Sequence, residues 1–236
     1  MARLKPVIAV AYLTTAPLLR SPLWMAAQLV TPVGVVLTTY MLAGKSALLH
    51  VLVGALVSVA AGSCIGIARL LVLFRLIGFH DIIVASPVGL HEYMLGLALS
   101  RLLGSLPAIT VFSLALSTVA GFNAYRLAVL ALAILFAWLL TSLLAFTIAL
   151  YVESPVHIDS ITLFLSSALI LLPPVYYPLD ALPDALKPVA FIAPTTYAAE
   201  MIRRVLVYDE PLHWLLAAAL AYAAILSAVV SRRLAS

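Results

Sequence analysis

The chain has 236 residues, of which 65% are apolar and only 9% charged, with a mean hydropathy of +1.20. Soluble domains run at roughly 45–50% apolar and 25% charged, so a water-facing fold of this size is excluded and lipid is the solvent. The net charge of +4 comes with no basic run longer than Arg203-Arg204 and Arg232-Arg233, which argues against nucleic acid and leaves membrane orientation as the use of the charge.

Residues 1–21 carry Arg3, Lys5 and Arg20 around an apolar run interrupted by Pro6 and Pro17. With no small-residue cleavage site, this reads as a helix lying on the cytoplasmic membrane surface rather than a signal peptide. Residues 23–42 are the first expected span, with Trp24 and Tyr40 at the levels of the aromatic belts. Gly44-Lys45-Ser46 forms a minimal loop, and residues 47–73 are the second span, with Gly62 and Gly66 at a spacing that favours close helix approach.

The stretch from Phe79 to Gly96 separates two very apolar runs and carries His80, Asp81, His91 and Glu92 around a Ser86-Pro87-Val88-Gly89 turn. Phe79, Ile82 and Ile83 recur at helical spacing, so residues 79–87 read as a short amphipathic helix stopped by proline. Its polar face has no evident partner within the chain, which marks it as a docking element for another protein. A third span follows at 93–120, containing Arg101, which must snorkel, pair or face a wet interior. The fourth span is 127–150.

The fifth, 158–176, runs into Pro173-Pro174. Beyond it, prolines at 178, 183, 188 and 194 leave room only for short helices, one over 180–187 and one over 195–206 capped by Thr195 or Thr196. Neither is long enough to cross a bilayer, so residues 178–206 read as a re-entrant hairpin. The last span is 212–230. The expected fold is thus an all-α polytopic membrane protein with six transmembrane helices, in one transmembrane domain over 1–236. With both termini cytoplasmic, seven Lys and Arg lie inside and five outside, which sets the 79–87 helix in the cytoplasm and the hairpin outside.

Enzyme motifs fail on inspection. Gly44-Lys45-Ser46 resembles the end of a phosphate-binding loop, but Thr39 stands where its first glycine belongs. His91-Glu92 opens like a zinc-protease motif, with Leu95 in place of the second histidine. The five histidines lie on separate segments, there is no nucleophile elbow, and the lone Cys64 excludes an intrachain disulfide or a cysteine metal site.

Two regions carry a family resemblance. Ile82-Ile83-Val84-Ala85-Ser86-Pro87-Val88, leading into Glu92-Tyr93-Met94-Leu95-Gly96, is similar to the coupling segment of ABC-2 type transporter permeases. Tyr177-Pro178-Leu179-Asp180-Ala181-Leu182-Pro183, followed by Ala193-Pro194-Thr195-Thr196-Tyr197 and Glu200-Met201-Ile202-Arg203, resembles the signature those permeases carry before the last span. The chain departs from the family at Gly78, His80 and Asp81, where glutamates are usual, and at Ala193, where asparagine is commonest.

The resemblance implies a plasma-membrane export permease that dimerises with a second permease chain and pairs with separate ABC ATPase subunits. ATP and Mg would belong to those partners, and this chain would carry no cofactor of its own. Phe79, His80, Asp81, Ile82, Ile83, Ser86 and Pro87 would couple to the ATPase. Tyr176, Tyr177, Pro178, Tyr197 and Glu200 would form the outer gate and substrate path. A membrane-bound assembly factor using 79–87 as a static anchor is the alternative. Lipids, drugs and glycans all remain open as substrates, the apolar spans favouring amphiphiles.

Overall fold

The computed structural model describes residues 4–78, 86, 88–121, 123–152, 154–171, 173–208 and 210–235, and among these every regular element is helical. The chain opens with α1 (Leu4–Leu19), α2 (Pro22–Ala43), a 3-10 turn (Gly44–Ala47) and α3 (Leu48–Leu76). α4 (Leu90–Ala120), α5 (Ala124–Tyr151) and α6 (Pro155–Leu171) follow. A less regular stretch holds a 3-10 turn (Leu179–Ala181), α7 (Lys187–Ala190), α8 (Pro194–Arg203) and a π turn (Arg204–Tyr208), before α9 (His213–Ala235).

Four stretches among the described residues are long and apolar enough to cross a membrane: Pro22–Leu76, Leu90–Ala120, Ala124–Tyr151 and His213–Arg233. The first is divided where Gly44 takes a φ of 67°, a left-handed conformation that glycine adopts without steric cost. The 22-residue α2 and 29-residue α3 therefore fold back against each other. Local chemistry marks the starts. Ser21 Oγ accepts from the Trp24 amide with Pro22 in the first turn of α2, and Asn123 Oδ1 accepts from the Arg126 amide at 2.8 Å to open α5.

α3 is the hub. Every residue from Val51 to Ala61 is buried, so the helix has no solvent or lipid face there, and it packs against α2, α4, α5, α6 and α8. Two glycines permit the closest approaches. A Cβ on Gly54 of α3 would stand 2.8 Å from the Tyr176 Cα, and one on Gly96 of α4 would stand 2.7 Å from the Val10 Cβ. α1 meets α4 at Val10 with Gly96, at Thr15 with Ser100 and at Leu18 with Gly104. Because these contacts fall in the same order on both helices, α1 runs alongside the first half of α4 in the same direction.

Helix ends are sorted to two sides. At one, Arg69 Nε lies 2.6 Å from Asp159 Oδ1, Arg75 Nη1 donates to the Ala149 carbonyl at 2.9 Å, and Arg233 stands over the Tyr151 ring. The other side holds the stretch after α6. There the chain turns back, and in a membrane its leftover carbonyls need protein donors. Thr195 Oγ1 donates to the Leu169 carbonyl at 2.8 Å, Thr196 Oγ1 to Ala190 and the Tyr222 hydroxyl to Ile192. The fully buried Arg203 donates from Nη1 to the Pro174 carbonyl and from Nη2 to that of Val175. Glu200, one turn back on α8 and also buried, neutralises it at 2.9 Å.

Several expectations change here. The helix expected over 180–187 is a 3-10 turn followed by a second turn, with Ala181 bonded back to Pro178 and Leu186 to Pro183, because the prolines on either side cannot extend an α-helical ladder. The helix expected over 195–206 starts at Pro194 with Ala193 as its uncapped N-cap, and changes to a π turn after Arg203. Thr195 and Thr196 therefore do not cap it; their hydroxyls serve carbonyls elsewhere. α6 stops at Leu171 rather than 176, since neither Pro173 nor Pro174 has an N–H to offer. Pro6 and Pro17 do not break α1, standing in its first and last turns. The docking helix over 79–87 lies outside the described residues, except Ser86, whose Oγ accepts from the Val88 amide.

Replacing Arg203 with Met strands a buried carboxylate and two carbonyls, and should cost about 3–5 kcal/mol in thermal or denaturant unfolding in detergent, partly recovered when Glu200→Gln is added. Gly54→Val should cost roughly 1–3 kcal/mol by pushing Tyr176 off α3. Gly34→Ala, where no atom lies within 4 Å of the new methyl, should be neutral or gain up to about 1 kcal/mol.

Candidate functional site

Pro173 and Pro174 end α6 and send the chain across the face of α3, and Tyr176 is the residue that lands on Gly54. Its hydroxyl donates to Ser58 Oγ at 2.8 Å, while Ser58 donates to the Ala55 carbonyl within α3. The Tyr176 ring thereby closes one end of a groove between α2, α3 and α6. A cavity of about 280 Å³ lies there, and its polar lining is Gln28, Thr31, Ser58, Ser166, Ser167 and Tyr176. Pro32, also in the lining, has no N–H to give the Gln28 carbonyl, so that carbonyl lacks its usual donor from the next turn of α2.

Gln28 joins this cavity to two more. One of about 280 Å³ is lined by Trp24, Ala27, Gln28, Gly62, Ser63, Gly66 and Arg101, and a smaller one of about 150 Å³ runs between α2 and α4 past Gly104 and Pro107. The groove is therefore polar at intervals along an otherwise apolar face. Behind Tyr176, a separate pocket of about 330 Å³ lies between the end of α6 and the 182–193 stretch, with an apolar lining that includes Leu169, Leu182, Leu186 and Ile192.

The structure separates the five residues of the expected gate. Tyr176 lines the groove; Tyr177 and Pro178 lead into the 3-10 turn beside it. Tyr197 lies instead in an aromatic cluster, 5.3 Å edge-on from Phe191 and 5.7 Å from Tyr222, with Trp214 beyond Phe191 at 5.8 Å. Glu200 is occupied by Arg203 beneath the stretch and does not reach the groove. On the exposed rim, Lys187 stands 2.8 Å from Asp184 and 3.8 Å from Asp180. Its hydrogen bond holds the Asp184 carboxyl below its ordinary range and, reciprocally, raises Lys187. No cluster of His, Cys, Asp and Glu suited to a metal occurs among the described residues.

Of the residues expected to couple to an ATPase, Phe79, His80, Asp81, Ile82, Ile83 and Pro87 lie outside the described residues; at the opposite side α4 opens at Leu90 with Glu92 Oε2 accepting from the Gly89 amide at 3.0 Å. Beside it a cavity of about 710 Å³ is lined by Leu4 and Val7 of α1, His91, Glu92 and Leu95 of α4, and Trp138 of α5.

Ser58 and Gln28 are the functional candidates that sequence reasoning missed. Gln28 is the sole glutamine in the chain and lies within an apolar span, a signal available from sequence alone. Ser58 gave none, since a serine within a membrane helix ordinarily bonds its own backbone.

No curated protein matches the chain closely enough to identify a relative. The family model for ABC-2 type transporter membrane proteins matches residues 11–207, which takes in α2 through α8, the groove and the Arg203 crossing. The chain belongs to the ABC-2 type transporter family, as a membrane permease component.

Proposed function

We propose that the chain is the membrane subunit of an ATP-driven exporter, in which two permease chains enclose a path and separate ATPase subunits, holding ATP and Mg, act on it from the cytoplasm. Six spans are built from α2, α3, α4, α5, α6 and α9, with both termini cytoplasmic and α1 seated at that face. The 17-residue α6 rises only about 26 Å, and the turns over Pro173–Tyr176, where the Val175 amide bonds back to the Pro173 carbonyl, complete its crossing. The 178–206 stretch is then the outward re-entrant hairpin.

The observation that carries this reading is the reach of α3. One continuous helix leads from Gly54, where Tyr176 rests, to Leu76, immediately before the coupling segment. A 29-residue helix buried on all sides from Val51 to Ala61 moves as one body, so a push at its cytoplasmic end shifts the seat of Tyr176 at the other. Arg203 ties Pro174 and Val175 to α8, so the hairpin follows. ATP biases this equilibrium only to the extent that the partner's nucleotide states bind the coupling segment with different affinity.

Three measurements test the reading. Asp81→Lys should leave the chain folded and reduce co-purification of the ATPase at least tenfold, by opposing charge to a basic docking groove; undiminished association removes the docking role. Tyr176 and Tyr177 both changed to Ala should lower substrate moved per ATP severalfold with ATPase association intact, whereas unchanged transport shifts the gate elsewhere. In a Cys64→Ser background, cysteines at Ala47 and Asn123 should react with impermeant reagents from outside and one at Ser86 only after permeabilisation; the reverse pattern inverts the topology.

A further inference from the structure

Arg101 is left unexplained by the arrangement above. Five other arginines among the described residues are consumed by structure: Arg69 and Arg204 by carboxylates, Arg75 and Arg126 by the carbonyls that end α5 and α4, and Arg203 by both. Arg101 is partly buried, its Nε is shielded from solvent and makes no hydrogen bond, and no carboxylate lies within ion-pair distance of it among the described residues. Instead it lines the cavity shared with Ser63, Gln28 and Trp24, and Gln28 Nε2 is likewise buried without an acceptor. Two residues that line one space, one of them cationic, thus each carry a buried donor without an acceptor. Buried donors without acceptors are costly, and their joint demand is for an anion.

The level of this cavity matters. From Arg101 to Ala120 at the end of α4 the rise is about 28 Å, and from Trp24 to Ala43 at the end of α2 it is about the same, close to the roughly 30 Å thickness of a bilayer core. Both residues therefore sit at the core boundary opposite those helix ends, where lipid headgroups begin. Leu23 beside Trp24 is 79% exposed, and nothing lies within 4 Å of a Cβ placed on Gly66, so the cavity opens laterally rather than being filled by the fold.

We propose that Arg101, Gln28 and Ser63 receive the phosphate-bearing headgroup of an anionic amphiphile entering from the cytoplasmic leaflet, and that this amphiphile is the cargo. The proposal rests on the transport reading for its second half only. The guanidinium supplies charge and directed donors, Gln28 a second donor, Ser63 a polar wall whose own hydroxyl is bonded to the Ala60 carbonyl, and Gly62 and Gly66 the room. Beyond Gln28 the groove continues toward Ser58 and Tyr176, which gives a bound headgroup a polar route across the apolar face.

The full chain in neutral detergent is titrated with brominated phosphatidic acid and with brominated phosphatidylcholine, reading tryptophan quenching, to which Trp24 contributes. Phosphatidic acid should quench saturably at a concentration at least tenfold lower. Arg101→Gln and, separately, Gly66→Leu should abolish that preference without lowering the melting temperature. Gly66→Leu fills open space and decides the matter if Arg101→Gln fails to fold. Equal quenching by both lipids, or a preference that survives Gly66→Leu, overturns the site, as does release of a second copy of the chain by Arg101→Gln, which would mark Arg101 as an interchain ion pair. Glycerol phosphate that displaces the lipid at comparable concentration would make the ligand a free phosphate ester and overturn the amphiphile. In the complex with its ATPase, replacing ADP by ATP should weaken phosphatidic acid binding at least tenfold. Binding indifferent to nucleotide means a resident lipid and overturns the cargo assignment. Headgroup preference intact in a complex that moves nothing across a vesicle membrane counts against the transport reading and leaves the site standing.

Discussion

The accounting of backbone carbonyls where helices stop short governs this structure. In water a helix end is satisfied by solvent; within a bilayer each leftover acceptor needs a protein donor or the chain cannot turn there. α6 ends at Leu171, followed by two prolines that have no amide hydrogens of their own, and the stretch beyond survives because Thr195 and Arg203 reach back to it from α8. A buried guanidinium would ordinarily be a liability. Here it serves two carbonyls and a carboxylate together, and its desolvation is offset by contacts that no apolar side chain could supply. Arg75 and Arg126 do the same work for α5 and α4 with their charged ends nearer the surface.

A second constraint is the thinness of α3 at Gly54. Association between helices in lipid gains little from the hydrophobic effect, and close van der Waals approach substitutes for it. At Gly54 the approach is backbone to side chain: the Tyr176 ring and Cα lie where a methyl would be. The same glycine thus fixes both the packing of the hub and the position of the groove's polar end, so stability and access are set at one point.

Much of the architecture was legible because hydropathy and proline are local signals. The apolar runs predicted α2, α3, α4, α5 and α9 to within a few residues, and Pro173-Pro174 marked the turn-back. Proline was also where local reading went astray: Pro178 and Pro183 reduce 180–187 to turns, and Pro194 moves the start of α8 ahead of the threonines that had seemed to cap it. What sequence could not supply was facing. Tyr176 and Ser58 are far apart in the chain and meet only because α3 is central. Arg101 could equally have snorkelled to the surface, and only the gap left by Gly62 and Gly66 turns it into a groove. Tyr197 and Tyr176 looked equivalent as aromatic residues in one motif, yet they lie in separate environments because α8 presents Tyr197 to α9.

The aromatic cluster around Tyr197 has a bearing on biogenesis. Phe191 and Tyr197 are held by Trp214 and Tyr222, both on α9, and the Tyr222 hydroxyl provides the donor for the Ile192 carbonyl. Chains emerge from the ribosome N-terminus first. Everything that precedes α9, including α8 with its ion pair, is therefore synthesised before the ring stack and the Ile192 acceptor have their partners. The stretch after α6 stays unsealed on that flank until α9 has inserted, which leaves a chain stalled before α9 with an open, acceptor-bearing flank for quality control to recognise.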